Sequence, residues 1–312
     1  MKPFRKNVAI AIDGGGIRGL IVTHALSILE DKLGLPVHAI ARLAAGTSTG
    51  SIIAAAIGSG MTAHELDSLY ITLGPKVFPT TWRKLLFPLT RYKYPDEPLH
   101  TFLKAAFGEK RMGDYWISHP PTDVVITLYD LAENRNLFVK PWKDEYVDWP
   151  VIRAVQGSCT VPTYFPVVEG RYIDGGVGSY ANPSYVAAYE ARIILEWDPE
   201  ETTLLSFGTG REPYYFDAHR ASRFWPWDWL SRIFGVFMHS AEDQQVHLVE
   251  TFFDKLDFRR FQVDLLEPIG MDDVDFIPRL VEYGEQMGAM ILDDIFDDSM
   301  GNSPEKPAAK LV

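Results

Sequence analysis

The chain has 312 residues, 46% hydrophobic and 23% charged, the balance of a globular protein with a sizeable core and not of a disordered polypeptide. Its 42 acids against 30 Lys and Arg leave a formal charge of −12, which excludes a non-specific nucleic-acid binder because phosphate backbones demand a surplus of cations. The single cysteine, Cys159, excludes an internal disulfide and any multi-cysteine zinc site, and fits a reducing compartment.

Met1–Asn7 is basic but leads directly into a strand-like run, with no apolar signal region. No stretch approaches the roughly 18 to 20 apolar residues of a spanning helix. The expectation is a cytoplasmic protein that meets a membrane, if at all, at its surface. Val8–Ile12 reads as a short strand ending at Asp13-Gly14-Gly15-Gly16-Ile17-Arg18-Gly19, and Leu20–Leu33 carries apolar residues at helical spacing up to the stop signal Gly34. Ile40–Ala45 predicts a second strand, followed by Gly46-Thr47-Ser48-Thr49-Gly50 and a small-residue helix over 51–57. Thr62 with Glu65 predicts a capping box that opens a helix to about Leu73.

Residues 71–95 differ in character: Pro75, Pro79, Pro88 and Pro95 break regularity, and Lys76, Arg83, Lys84, Arg91 and Lys93 stand without a single acid. Interleaved with Phe78, Trp82, Leu85, Leu86, Phe87, Tyr92 and Tyr94, these cations suit an anionic membrane surface; a solvated loop whose aromatics belong to the core is the competing reading. Further strands are predicted at 124–129, 137–140, 172–173 and 203–207, with a helix over 150–156. Strands alternating with helices indicate an α/β layered fold. Phe224, Trp225, Trp227, Trp229, Phe234 and Phe237 crowd into fifteen residues before a longer helical stretch that runs through Phe253. They read as a packed cluster or as a second apolar lip. Residues 261–300 hold eleven acids against Arg279, a charge of −10 that leaves only −2 for the rest, so an acidic C-terminal region facing away from a membrane is expected. Residues 1–300 read as one domain, with its motifs within 7–210 and a helical, acidic part over 211–300; residues 301–312 read as a disordered tail.

Gly46–Gly50 fits G-x-S-x-G, in which a sharp strand-to-helix turn projects the serine hydroxyl, making Ser48 the candidate nucleophile; five residues with three fixed positions also describe an ordinary polar loop. Gly14, Gly16 and Gly19 satisfy the dinucleotide fingerprint, which would make the chain an oxidoreductase. The offset where a ribose-binding acid is expected holds Leu33, Gly34 and Leu35 instead. The alternatives are a cradle of backbone amides for an oxyanion, with Arg18 adding charge or anchoring the loop, and a tight turn that binds no ligand. A serine needs a base. The eight histidines sit in no obvious catalytic turn, although a histidine-dependent hydrolase would draw on His219, His239 or His247. Asp174, followed by Gly175 and Gly176, ends a strand in a turn open to another loop; alone it reads equally as a turn or cap residue.

Taken together, Asp13–Gly19, Gly46–Gly50 and Asp174–Gly176, in that order, resemble the patatin-like phospholipase family, whose pattern is D-G-G-G-x-R-G, G-x-S-x-G and D-G-G or D-G-A. Softer echoes lie at Ser158–Pro166 and Ser206–Gly210. The resemblance implies a three-layer α/β fold with a mainly parallel central sheet, and lipid acyl-ester hydrolysis through a Ser48–Asp174 dyad. It places Gly14, Gly15, Gly16 and Arg18 in the oxyanion loop, Gly46 and Gly50 in the nucleophile elbow and Gly175 and Gly176 in the base turn. It implies a phospholipid or other acyl-ester lipid as substrate, and neither cofactor nor metal. One departure stands out: Thr160 and Val161 replace the two alanines usual before the proline and would narrow a groove there. Cys159 beside them reads as packing, with a second nucleophile as the less ordinary alternative. A general carboxylesterase and a catalytically silent storage or interaction protein are the remaining readings.

Overall fold

The computed structural model describes residues 1–79, 82–87, 89–117, 122–213 and 218–297; the tail expected at 301–312 lies outside the described residues. In chain order the principal elements are β1 (Asn7–Ile12), α1 (Gly19–Leu33), β2 (Leu43–Gly46), α2 (Thr49–Gly58), α3 (Ala63–Val77) and α4 (Glu97–Phe107). They continue as β3 (Asp123–Asp130), β4 (Arg135–Val139), α5 (Val151–Ser158), β5 (Tyr172–Asp174), α6 (Ser184–Tyr189) and β6 (Thr202–Phe207). The last are α7 (Pro226–Phe252), β7 (Asp257–Phe261) and α8 (Ile277–Leu292). The sheet runs β4-β3-β2-β1-β6-β7, with β5 also paired to β3. Pairing is parallel from β3 through β7, and antiparallel where β4 and β5 meet β3.

Alternation along the central strands explains the layering. Val8, Ile10 and Ile12 of β1 face one core with Leu20, Ile53 and Leu280, while Ala9 and Ala11 face the other with Val186, Ala187 and Val249. All six residues of β1 are buried, as expected of a parallel strand covered by helices on both faces. Helix ends follow local chemistry. Gly34 adopts φ 66° to close α1, and Thr62 and Glu65 form the predicted capping box of α3. That helix runs to Val77, beyond its expected end near Leu73, and carries Pro75 in its last turn. Close approach of Gly284 and Gly288 to His24 and Ile28 packs α8 against α1; a Cβ on either glycine would come within 2.6 Å of the neighbouring side chain.

The strand β7 has no counterpart in the apolar patterning because Arg259 and Arg260 lie within it. Both are buried, and each has a prepared partner: Arg259 donates to Asp257 and to the Lys2 and Pro3 carbonyls, and Arg260 to Asp13. Charges sit inside a sheet when such pairing offsets desolvation. Among the described residues no helix is long and apolar enough to cross a membrane.

Candidate active site

Parallel strands β1, β2 and β6 all end on one side of the sheet, the edge where α/β folds gather their ligands. Beyond β2 the chain turns within Thr47–Ser48 into α2. Gly46 and Gly50 serve by clearance: a Cβ on Gly46 would lie 2.1 Å from the Gly50 carbonyl oxygen, and one on Gly50 2.1 Å from that of Ile12. The positive φ of the turn is carried by Ser48 itself, at φ 54° and ψ −126°. A non-glycine residue there is strained, and the strain persists only where its surroundings hold it.

Those surroundings are legible atom by atom. The Ser48 amide donates to Ser158 Oγ at 2.8 Å, and its carbonyl accepts from Ser51 Oγ at 2.6 Å and Cys159 Sγ at 3.2 Å. Burial, with the nearby Asp174 charge, pushes the Cys159 thiol far above its ordinary value. It is thus a protonated donor beneath the turn, not a thiolate. The segment after α5 holds a second turn as well, because the Thr160 carbonyl accepts from the Asp174 amide at 3.0 Å.

Sheet register explains how residues 126 positions apart meet. Gly46, the last residue of β2, lies opposite Ile126 of β3, and Asp174, the last of antiparallel β5, lies opposite Leu128. Two strands running in opposite directions along one flank of β3 therefore end facing each other, about 7 Å apart along it. Asp174 is buried; its Oδ1 accepts from the Gly176 amide at 2.7 Å, and its Oδ2 has no hydrogen-bond partner of good geometry. Burial raises the carboxyl from 3.8 to about 7, opposed by the Gly176 amide and by the Ser48 hydroxyl. The hydroxyl is thus near enough to favour the charged form, although Oδ2 makes no hydrogen bond of good geometry. Gly175 also lacks room for a side chain, since a Cβ would come 2.3 Å from Thr127 Oγ1.

The glycine loop lies directly on Ser48: a Cβ on Gly14 would be 3.2 Å from that of Ser48. Its three amides are not equivalent. Gly14 donates to the Ala181 carbonyl at 2.9 Å, whereas Gly15 and Gly16 find no backbone or side-chain acceptor among the described residues. Gly14 is therefore committed, which narrows the expected three-glycine donor set to Gly15 and Gly16. Arg18 is turned to Glu212 Oε1 at 2.5 Å and to the Ile269 carbonyl, the anchoring alternative of its two expected roles. Asp13, at the root of the loop, forms a two-pronged buried pair with Arg260.

Two cavities converge on Ser48. One, about 650 Å³, is apolar and lined by residues such as Ile52, Leu69, Val77, Leu99 and Phe102. The other, about 710 Å³, holds Asp174, Arg18, Glu212, His239 and Glu242. No sequence pattern marked Ser158, Arg260, Glu212 or Glu242; only the general echo around Ser158 hinted at the first. Of the late histidines, His239 lines this chamber, while His219 and His247 are exposed.

The cationic segment divides. Lys84 and Lys93 reach Asp272 at 3.1 and 3.9 Å, and the buried Tyr94 donates to the same carboxylate at 2.6 Å. Part of the acidic C-terminal region thus faces this segment, contrary to the expected separation, because those charges neutralise one another. Phe78 packs on Tyr94 and Phe165, while Trp82, Leu86 and Leu89 are exposed. Pro88 lies outside the described residues.

The patatin-like phospholipase family profile matches residues 10–187, more than half of the chain. An intracellular phospholipase A2 of Caenorhabditis elegans is 32% identical over 225 residues, covering 65% of this chain and 19% of that protein. The 85/88 kDa calcium-independent phospholipase A2 of Mus musculus is 28% identical over 261 residues, 73% of this chain and 30% of that one. Patatin group J-1 of Solanum tuberosum is 27% identical over 266 residues, 72% and 66% respectively. The chain thus spans between a fifth and two thirds of the length of these relatives. A sheet that sets a strained serine, a glycine loop and a buried aspartate at one edge agrees with the profile match, and the chain belongs to the patatin-like phospholipase family.

Proposed function

We propose that this chain is a lipid acyl hydrolase of the phospholipase A or lysophospholipase type, with Ser48 as nucleophile and Asp174 as its base. The observation that carries the reading is the position of Ser48: at a strained apex, beside a buried carboxylate, against unpaired amides and in the wall of an apolar cavity. Two relatives named phospholipase A2 support it. Ser48 Oγ attacks the ester carbonyl carbon while Asp174 takes the hydroxyl proton. The Gly15 and Gly16 amides hold the tetrahedral oxyanion, a contribution worth about 10²–10³ in rate per donor. Collapse breaks the ester bond, and the departing alkoxide takes the proton from Asp174. Water then attacks acyl-Ser48 with Asp174 again as base, releasing the fatty acid and the free serine. The test is incubation with a fluorophosphonate and, separately, with palmitoyl-ester micelles. Palmitate release with label on Ser48 is expected; activity with Ser48 unlabelled defeats the assignment.

As a base, Asp174 works only when ionised. With its carboxyl raised to about 7, kcat/KM should climb roughly tenfold per pH unit below that point and level off above it. A profile flat from pH 5 to 9 would remove Asp174 from this role. Stability moves oppositely: between 3.8 and about 7 the folded state binds the extra proton, so this group's contribution declines as pH rises through that window.

Ser158 is a positioning residue in this scheme. Ser158→Ala strands the Ser48 amide and lets the apex relax, so a 10- to 100-fold fall in kcat with little change in KM is expected, roughly the penalty for misplacing a reacting group by an ångström. Loss confined to thermal stability would make its role merely structural.

Membrane contact is proposed at the exposed Trp82, Leu86 and Leu89, near the end of α3 that supplies Val77 and Phe78 to the apolar cavity. Trp225 and Phe237, also exposed, would form the second lip. In vesicle flotation, phosphatidylglycerol vesicles should carry the protein, and Trp82→Ser with Leu89→Ser should weaken partitioning by about tenfold or more, the scale of losing two buried apolar side chains. Equal flotation of both proteins would refute this surface. The close packing of α8 on α1 supports reading residues 1–300 as one domain.

A further inference from the structure

The two cavities that meet at Ser48 differ in kind, and among the described residues only Ser48, Val161 and Met271 line both. An ester bound with its carbonyl at Ser48 must place its acyl chain in one cavity and its alcohol in the other. The apolar cavity matches the chain. The opposite chamber is partly apolar, with Val177, Ala181 and Met238 in its wall, but unlike the first it also presents Arg18, Glu212, His239, Glu242 and Asp174, and Arg18 is already committed to Glu212 at 2.5 Å. Glu242 opens only 20% of its side chain, onto this chamber. Burial first, then the Asp13 charge, push its carboxyl up to about 8 against the opposing pull of Arg260 and Arg18, so at neutral pH it is chiefly a hydrogen-bond donor.

This ionisable side of the chamber suits the hydroxyl groups of an alcohol, which can donate to its carboxylates. In a diacyl lipid, however, the second chain begins one glycerol carbon from the reacting ester, so its first methylenes would displace water from these groups without replacing the lost hydrogen bonds. Val161 sharpens the division. Its neighbour Thr160 is turned inward, donating to the Gln156 carbonyl at 2.8 Å, whereas Val161 stands at the junction. Met271 shares that junction, its own carbonyl fixed by the Ile17 amide at 2.9 Å.

We propose, resting on the acyl-hydrolase reading above, that the preferred substrate is a lipid ester with a single acyl chain on a polar glycerol alcohol, and that Val161 is the residue that bars the second chain. Both a lysophospholipid and a monoacylglycerol have this chemistry. The experiment measures palmitate release by the full chain from 1-palmitoyl lysophosphatidylcholine, monopalmitoylglycerol and dipalmitoyl phosphatidylcholine, each at the same mole fraction in one nonionic detergent micelle. At least one single-chain ester is expected to exceed the diacyl lipid in kcat/KM by about tenfold or more, the discrimination available from a pocket of the wrong shape. The faster of the two single-chain esters identifies whether phosphate or uncharged glycerol is the better fit. Val161→Ala and, independently, Glu242→Leu should each shrink that ratio several-fold by admitting the second chain. Equal or faster hydrolysis of the diacyl lipid by the unaltered chain overturns the substrate assignment, and a ratio unmoved in two folded variants overturns the gate. Absence of hydrolysis on all three lipids, with Ser48 unlabelled by fluorophosphonate, would instead defeat the acyl-hydrolase reading itself.

Discussion

Ser48→Ala should lower kcat/KM for any acyl ester by about 10⁴-fold or more, because in the proposed mechanism Ser48 forms the acyl intermediate. Asp174→Asn should cost roughly 10²–10⁴, the usual range for a positioned base. It should also slow fluorophosphonate labelling of Ser48 without abolishing it, because the amide cannot take the proton but the apex remains. The near-isosteric change favours a clean comparison: the substituted side chain keeps a carbonyl oxygen for the Gly176 amide, which donates to Asp174 at 2.7 Å in the unaltered chain. His239→Asn supplies the contrast. His239 lines the same chamber, and its burial pushes the ring below its ordinary value. A histidine-dependent hydrolase would lose as much activity in this variant as in Ser48→Ala; a Ser-Asp dyad loses far less. The Cys159 thiol, raised well beyond neutral pH and donating to the Ser48 carbonyl, is no substitute nucleophile.

The largest effect on stability is expected at Arg260. Its guanidinium is 5% exposed, pairs with the 1% exposed Asp13 and also donates to Ser206 Oγ. Arg260→Leu leaves a buried carboxylate without a counter-charge, at a cost of about 3–5 kcal/mol. At a few degrees per kcal/mol for a chain of this size, the melting temperature should fall by roughly 10 °C. Activity should fall with it, because Asp13 anchors the loop that carries the Gly15 and Gly16 amides. Adding Asp13→Asn to Arg260→Leu removes the orphaned charge and should recover much of the lost stability. A double variant no more stable than Arg260→Leu alone would show that packing, and not charge, makes this residue necessary.

Much of the architecture was legible locally. Apolar runs ending in glycine-rich turns identified β1, β2 and β6. The Thr62–Glu65 pair identified the start of α3, and Gly34 the end of α1. These features depend on neighbours within a few residues, so the order of residues along the chain suffices to specify them. The glycines of Gly46–Gly50 were legible for the same reason: they provide the clearance for the sharp turn, while the positive φ falls on Ser48. The strand β7 was not legible: Arg259 and Arg260 look like surface residues until Asp257, Asp13 and the N-terminal carbonyls are brought to them from far along the chain.

Residue order alone carries the alternation of strands and helices, the three glycine-marked turns, and the family to which the chain belongs. It takes the folded sheet to make β2 and β5 end facing each other along β3, and so to bring a serine and an aspartate 126 residues apart into one buried space. The folded chain also settles which loop amides are already occupied and which charges of residues 71–95 turn inward to Asp272. It sets the two unlike cavities on either side of Ser48. Each of these depends on desolvation and on partners distant in sequence, and neither quantity is written in local residue order.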